Sequence, residues 1–98
     1  MALRVVWSAP AQAQRRAVLT YWLKRHGNAE YSRKLDMRFR SALRIIARNP
    51  RIGRPSSFEG VRMKTVGDYL LFCRLEEKII VIAALWDYRQ DPEKLRVS

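Results

Sequence analysis

The chain has 98 residues, of which 48% are apolar, so it has room for one domain spanning 1–98 and a single core. Its 20 Lys and Arg against 9 acidic residues give a formal charge of +11, an excess that argues for an anionic partner such as nucleic acid, a ribonucleoprotein or an acidic protein. With one cysteine, Cys73, and one histidine, His26, an internal disulfide is excluded and no Cys/His zinc set is available, so no metal and no cofactor are expected.

Leu3 to Trp7 reads as a short strand, rich in β-branched and aromatic residues. Ser8-Ala9-Pro10 follows as a helix start, with a capping hydroxyl and a proline in the first turn. The first helix is expected over Pro10–Arg25, with Ala11, Val18, Leu19 and Trp22 towards the core and Gly27 as its stop. Arg15 falls within that apolar side, so its stem should pack and its head should find a carboxylate or a partner.

A second helix over Ala29–Arg48 carries the clearest periodicity: Leu35, Phe39, Ala42, Leu43 and Ile46 form one face. Arg33, Arg40, Arg44 and Arg48 project to the opposite side, with Lys34 and Arg38 on a flank. Asn49-Pro50 ends this helix, and residues 49–60 read as a loop rich in turn formers.

Three strands should follow. Val61–Val66 and Tyr69–Leu75 are joined by Gly67-Asp68, and Lys78–Trp86 comes after Glu76-Glu77. The last is almost wholly apolar, as a central strand buried on both faces requires. Asp87–Ser98 is a polar tail in which Asp91-Pro92-Glu93 could start one helical turn. The expected fold is α+β in the order β-α-α-β-β-β, an N-terminal helical hairpin packed on a small, mainly antiparallel sheet.

The charge is unevenly divided. Residues 1–55 hold 13 Lys and Arg against Glu30 and Asp36, a net +11, whereas residues 56–98 hold seven of each sign. With so few acids, the arginine side of the second helix reads either as a solvated face or as a docking face for an anionic partner. No apolar run approaches the roughly 18–20 residues of a membrane span, and Pro10 breaks the N-terminal segment too early for a secretory signal. A cytoplasmic protein is therefore expected.

Trp7-Ser8, Asn49-Pro50, Gly53-Arg54-Pro55, Gly60-Val61-Arg62, Tyr69-Leu70-Leu71-Phe72 and the run Leu85–Pro92 occur in an order and spacing that resemble the RelE/ParE superfamily. These are toxins of type II toxin–antitoxin modules, of the plasmid-stabilisation kind. The resemblance implies a RelE/ParE-like fold, neutralisation by a small cognate antitoxin, and one of two targets: DNA gyrase for ParE-like members, or ribosome-bound mRNA for RelE-like members. A basic adaptor on the same fold, without toxicity, is the remaining alternative.

An RNA-cleaving member would activate the ribose 2′-hydroxyl and stabilise the developing phosphate charge with basic side chains on the sheet. The matching positions are Arg62, Lys64, Arg74 and Arg89. Arg62 and Lys64 are two apart and should share a sheet face. A full acid–base pair is not visible: His26 sits at a helix end, Glu59 in a turn, and Tyr88, which is expected to pack, is the nearest tail tyrosine. Cys73 reads as a buried thiol, and Trp7, Trp22, Trp86, Tyr69 and Phe72 as packing residues.

Overall fold

Ser8 starts the helical hairpin: its Oγ accepts from the Ala11 N–H at 3.2 Å, and Pro10 occupies the first turn, where no amide partner is required. In the computed structural model, which describes residues 2–89, the chain runs β1 (Arg4–Trp7), α1 (Ala9–His26), α2 (Glu30–Arg48), β2 (Arg54–Pro55), β3 (Val61–Val66), β4 (Tyr69–Glu76) and β5 (Ile79–Asp87). The expected turn at Asp91-Pro92-Glu93 lies outside the described residues. Gly27, left-handed at φ 70°, ends α1, and the Asn28 side chain accepts from the Glu30 N–H at 3.0 Å as α2 begins.

The five strands form one mixed sheet in the order β1-β5-β4-β3-β2. β3, β4 and β5 are an antiparallel meander, and β1 pairs parallel with β5 after the chain has crossed through the hairpin. Gly67 supplies the positive φ of 59° that the two-residue turn between Val66 and Tyr69 needs. One element differs from expectation. Within the loop at 49–60, Arg54 and Pro55 pair with Met63 and Arg62 as a short edge strand, a position where a proline costs no ladder bond.

Both helices cover the same sheet face. Leu35, Phe39, Ala42 and Ile46 of α2 meet Leu71, Cys73, Ile80, Ile82 and Leu85 beneath them. Phe39 and Ile46 are essentially inaccessible, each contributing about 1.5–3 kcal/mol through burial. A smaller cluster of Val61, Phe72 and Ala84, with Met63, Leu70 and Trp86 against it, lies on the outer face.

β5 can serve both faces because it carries an extra residue. Phe72 pairs with Ala84 and Cys73 with Ile82, so Ala83 is a bulge, and the alternation changes phase there. Ile80 and Ile82 before it and Leu85 after it all face the helices. The bulge interrupts the backbone ladder, and side chains from the start of α1 take up the freed groups. Ser8 Oγ donates to the Ala83 carbonyl at 3.2 Å, and Gln14 Oε1 accepts from the Leu85 N–H at 2.8 Å.

Arg15 behaves as its position demands. Its Nε and Nη2 reach Asp36 Oδ1 at 2.9 and 2.7 Å, joining α1 to α2, while its guanidinium lies 5.5 Å from the Trp7 ring centre.

Candidate interaction surfaces

Because Leu35, Phe39, Ala42 and Ile46 fix the buried side of α2, helical geometry sends Arg33, Arg40, Arg44 and Arg48 outward, and all four are exposed. The two acids of α2 pair with neighbouring cations. Glu30 pairs with Lys34 at 3.2 Å, and Asp36 holds Arg15 and, through Oδ2, Arg40 Nε at 3.1 Å. Arg44 donates to the Ser41 hydroxyl at 3.1 Å, and among the described residues Arg33, Arg44 and Arg48 have no acidic partner. The result is a strip of guanidinium groups available to a phosphate or carboxylate surface.

The four basic residues expected on the sheet do not converge. Arg62 and Lys64 share the helix-facing side of β3, as their spacing requires, but have different surroundings. Arg62 Nη1 donates to the Gly53 carbonyl at 2.8 Å, pinning the loop before β2. Arg74 pairs in register with Val61, whose side chain belongs to the outer cluster, so it projects from the opposite face; its Nε reaches Glu76 Oε1 at 3.2 Å. Arg89, beyond β5, makes a two-pronged contact with Asp87 at 2.9 and 2.7 Å and approaches Asp68 at 3.6 Å. That guanidinium holds the Asp87 carboxyl below the usual range.

The remaining candidates are also placed. Glu59 is exposed in its turn and lines a cavity of about 340 Å³ with Arg51 and Arg62. His26 lies in the last turn of α1, stacked on Trp22 with ring centres 5.5 Å apart. Cys73 is buried beneath the helices, which pushes its thiol up to about 12 and leaves it inert. Tyr88, expected to pack, is instead 56% exposed just beyond the end of β5, with its hydroxyl 3.5 Å from Asp68 Oδ1.

Two features escaped the sequence reading. All four tyrosines gather at one end of the molecule with His26. Tyr21 and Tyr31 pack edge-on to Trp22, whose Nε1 donates to Tyr69 Oη at 2.7 Å, and the Tyr88 N–H donates to Asp68 beside Tyr69. The second is a groove of about 580 Å³ between α2 and the end of β3. Met37, Ala42, Ile45 and Val66 give it apolar walls, and Lys34, Arg38 and Lys64 supply cations. The Arg38 guanidinium lies over Gly67: a Cβ there would stand 3.2 Å from its nitrogens. Lys64 therefore belongs with α2, not with Arg74 or Arg89. A second apolar row at Met37 and Ile45, interrupted by Ser41, was the signal in the sequence.

A helical hairpin on one face of a five-stranded mixed sheet, with arginines outward on α2, defines a small basic α+β protein with a cationic helix face. The family model described as ParE toxin of type II toxin–antitoxin system, parDE, matches residues 5–92, and the chain belongs to that family. A solved structure titled "Chromosomal ParDE TA system from P. aeruginosa" is similar in fold, with a TM-score of 0.75 at 23% identity, over 86% of this chain and 94% of that one. Among curated proteins none matches. The resemblance to the RelE/ParE superfamily is borne out, and membership implies a cognate antitoxin as partner. No helix among the described residues is long and apolar enough to cross a membrane.

Proposed function

We propose that this toxin arrests growth by docking the arginine strip of α2 on DNA gyrase, and that it is held inactive by its antitoxin until released. The observation that carries this reading is the dispersal of the sheet cations. Arg62, Arg74 and Arg89 lie on different surfaces, each holding a partner of its own, whereas Arg33, Arg44 and Arg48 share one exposed strip. Phosphoryl-transfer chemistry on RNA needs several cations focused on one phosphate. A docking surface needs only a complementary field, and its association rate should fall as salt screens it.

The test is induced expression without antitoxin, with purified chain added to a gyrase supercoiling assay in parallel. Wild type should arrest growth and block supercoiling, and Arg44→Glu with Arg48→Glu should relieve both while the melting temperature is kept. Messenger cleavage at the ribosome that disappears in soluble Arg74→Ala or Arg89→Ala would overturn the reading in favour of an RNA-cleaving toxin. Harmless expression of abundant soluble wild type would leave the adaptor alternative standing.

A further inference from the structure

Away from the arginine strip, one cavity gathers charges of both signs. The loop after α2 folds over the start of β3 and frames about 340 Å³, with Arg51, Glu59 and Arg62 in its walls. Among the described residues neither Arg51 nor Glu59 forms an ion pair. Three charged side chains therefore share one opening without neutralising one another.

The loop's own hydrogen bonds hold these walls. The Ile52 N–H donates to the Asn49 carbonyl at 2.9 Å and fixes the turn that carries Arg51. The Val61 N–H donates to the Phe58 carbonyl at 3.1 Å, and Ser56 Oγ accepts from the Phe58 N–H at 3.1 Å; both fix the turn that carries Glu59. Arg62 uses Nη1 on the Gly53 carbonyl, and its other N–H donors have no partner among the described residues. A cleft formed in advance, partly apolar and with a few convergent polar groups, is how small-molecule sites are built. We propose that this cavity binds a guanine mononucleotide, its phosphate on Arg51 and Arg62 and its base edge on Glu59. The assignment is separate from the docking of α2 and does not depend on it.

Charge selects the ligand. An inorganic anion would face the Glu59 carboxylate, and a metal cation would face two guanidinium groups, so neither suits the whole lining. A ligand with a strong anion at one end and neutral hydrogen-bond donors at the other suits both. A terminal phosphate carries about −1.5 to −2 charge at pH 7, which matches two guanidinium groups better than the single charge of a phosphodiester within a strand. A carboxylate is an acceptor with two oxygens side by side. Guanine meets it with two adjacent donors, N1–H and the 2-amino group, whereas adenine and cytosine set an acceptor beside their amino donor. Pro50, Pro55 and Phe58 add the apolar walls that a flat purine needs, and Phe58 is steadied edge-on against Phe72 with ring centres 6.0 Å apart.

Calorimetry on the full chain with GMP, AMP and inorganic phosphate at one ionic strength tests the assignment. GMP should bind one to one, roughly tenfold or more tightly than AMP or phosphate, as one two-pronged base contact provides. Glu59→Gln should erase the preference for GMP over AMP. Arg51→Ala should weaken GMP binding roughly tenfold and keep that preference. Both side chains are exposed, so the fold should tolerate either change. Amide NMR shifts give a second measure: GMP should move the signals of Arg51, Glu59 and Gly60 and leave those of Arg33 and Arg44 on α2 in place. Equal affinity for GMP, AMP and phosphate overturns the proposal, since a chain at +11 attracts any anion. So does a GMP preference that survives in Glu59→Gln, or shifts confined to α2. An oligoribonucleotide containing guanosine that binds more tightly than GMP overturns it in favour of a strand.

Discussion

Asp36→Asn tests whether one ion pair holds the hairpin together. The substitution keeps size and shape and removes one charge, the carboxylate on which Arg15 places Nε and Nη2 at 2.9 and 2.7 Å. Both side chains of that pair are only 18% exposed, so solvent screens it incompletely. Hydrogen bonds to a charged group in such a setting contribute about 1.5–3 kcal/mol. Arg40, 65% exposed, adds no more than about 0.3–0.5 kcal/mol through the other oxygen. Arg15 keeps Gln12 at 3.1 Å and the Trp7 ring, which limits the penalty for the stranded cation. The expected loss is therefore about 2 kcal/mol, which in a domain of this size lowers Tm by about 10 °C. Urea denaturation of wild type, Asp36→Asn, Arg15→Gln and the double variant gives the coupling directly, expected at about 1 kcal/mol or more. A single variant within about 0.5 kcal/mol of wild type would refute the argument and leave the helices joined by apolar packing alone.

Two further outcomes are expected. Gly53→Ala should destabilise by about 1–3 kcal/mol in urea, because its Cβ would sit 2.5 Å from the Met63 carbonyl oxygen, and backbone cannot step aside as a side chain can; an unchanged midpoint would mean that β2 is not held against β3. Stability should also fall in alkali. Burial pushes the Cys73 thiol up to about 12 and raises the Tyr69 phenol, so the fold prefers the neutral form of each. Their contribution is whole below about pH 8.5, where the unfolded thiol begins to ionise, and declines until the folded thiol ionises near 12. Cys73→Ala should flatten the urea midpoint between about pH 8 and 11, and equal slopes with and without the thiol would contradict this account.

The elements that the sequence made legible are those whose burial is settled within one segment. The face of α2 at Leu35, Phe39, Ala42 and Ile46 and the buried run of β5 follow from local periodicity, as does the inward position of Arg15, although periodicity left a carboxylate and a partner protein both open for its head. What escaped depends on register between segments. Alternation along β3 places Arg62 and Lys64 on one face, but only the pairing of Val61 with Arg74 shows that Arg74 projects from the other. The Ala83 bulge is equally invisible, because an apolar run has no polar residue to mark a change of phase. Edge strand β2 escaped because two residues carry no pattern. Met37 and Ile45 look like stray apolar residues on a charged helix until β3 and Gly67 come alongside to make a groove of them.

That difference bears on how the charge should be understood. The 13 Lys and Arg of residues 1–55 have no acids in that segment to neutralise them except Glu30 and Asp36, and both are engaged within the hairpin. Each arginine beyond those pairs therefore raises the energy of the isolated chain through repulsion, and the fold tolerates it because apolar burial on the other side of α2 is larger. An acidic partner removes that repulsion and gains its own contacts, so binding should stabilise the toxin beyond what the buried area alone supplies. The excess should shrink with added salt, whereas the apolar contribution of the interface should not. Comparing the rise in Tm on antitoxin binding at low and high salt thus separates the charged part of the interaction from the apolar part. If the increment were unchanged at high salt, the arginine strip would contribute nothing to antitoxin binding.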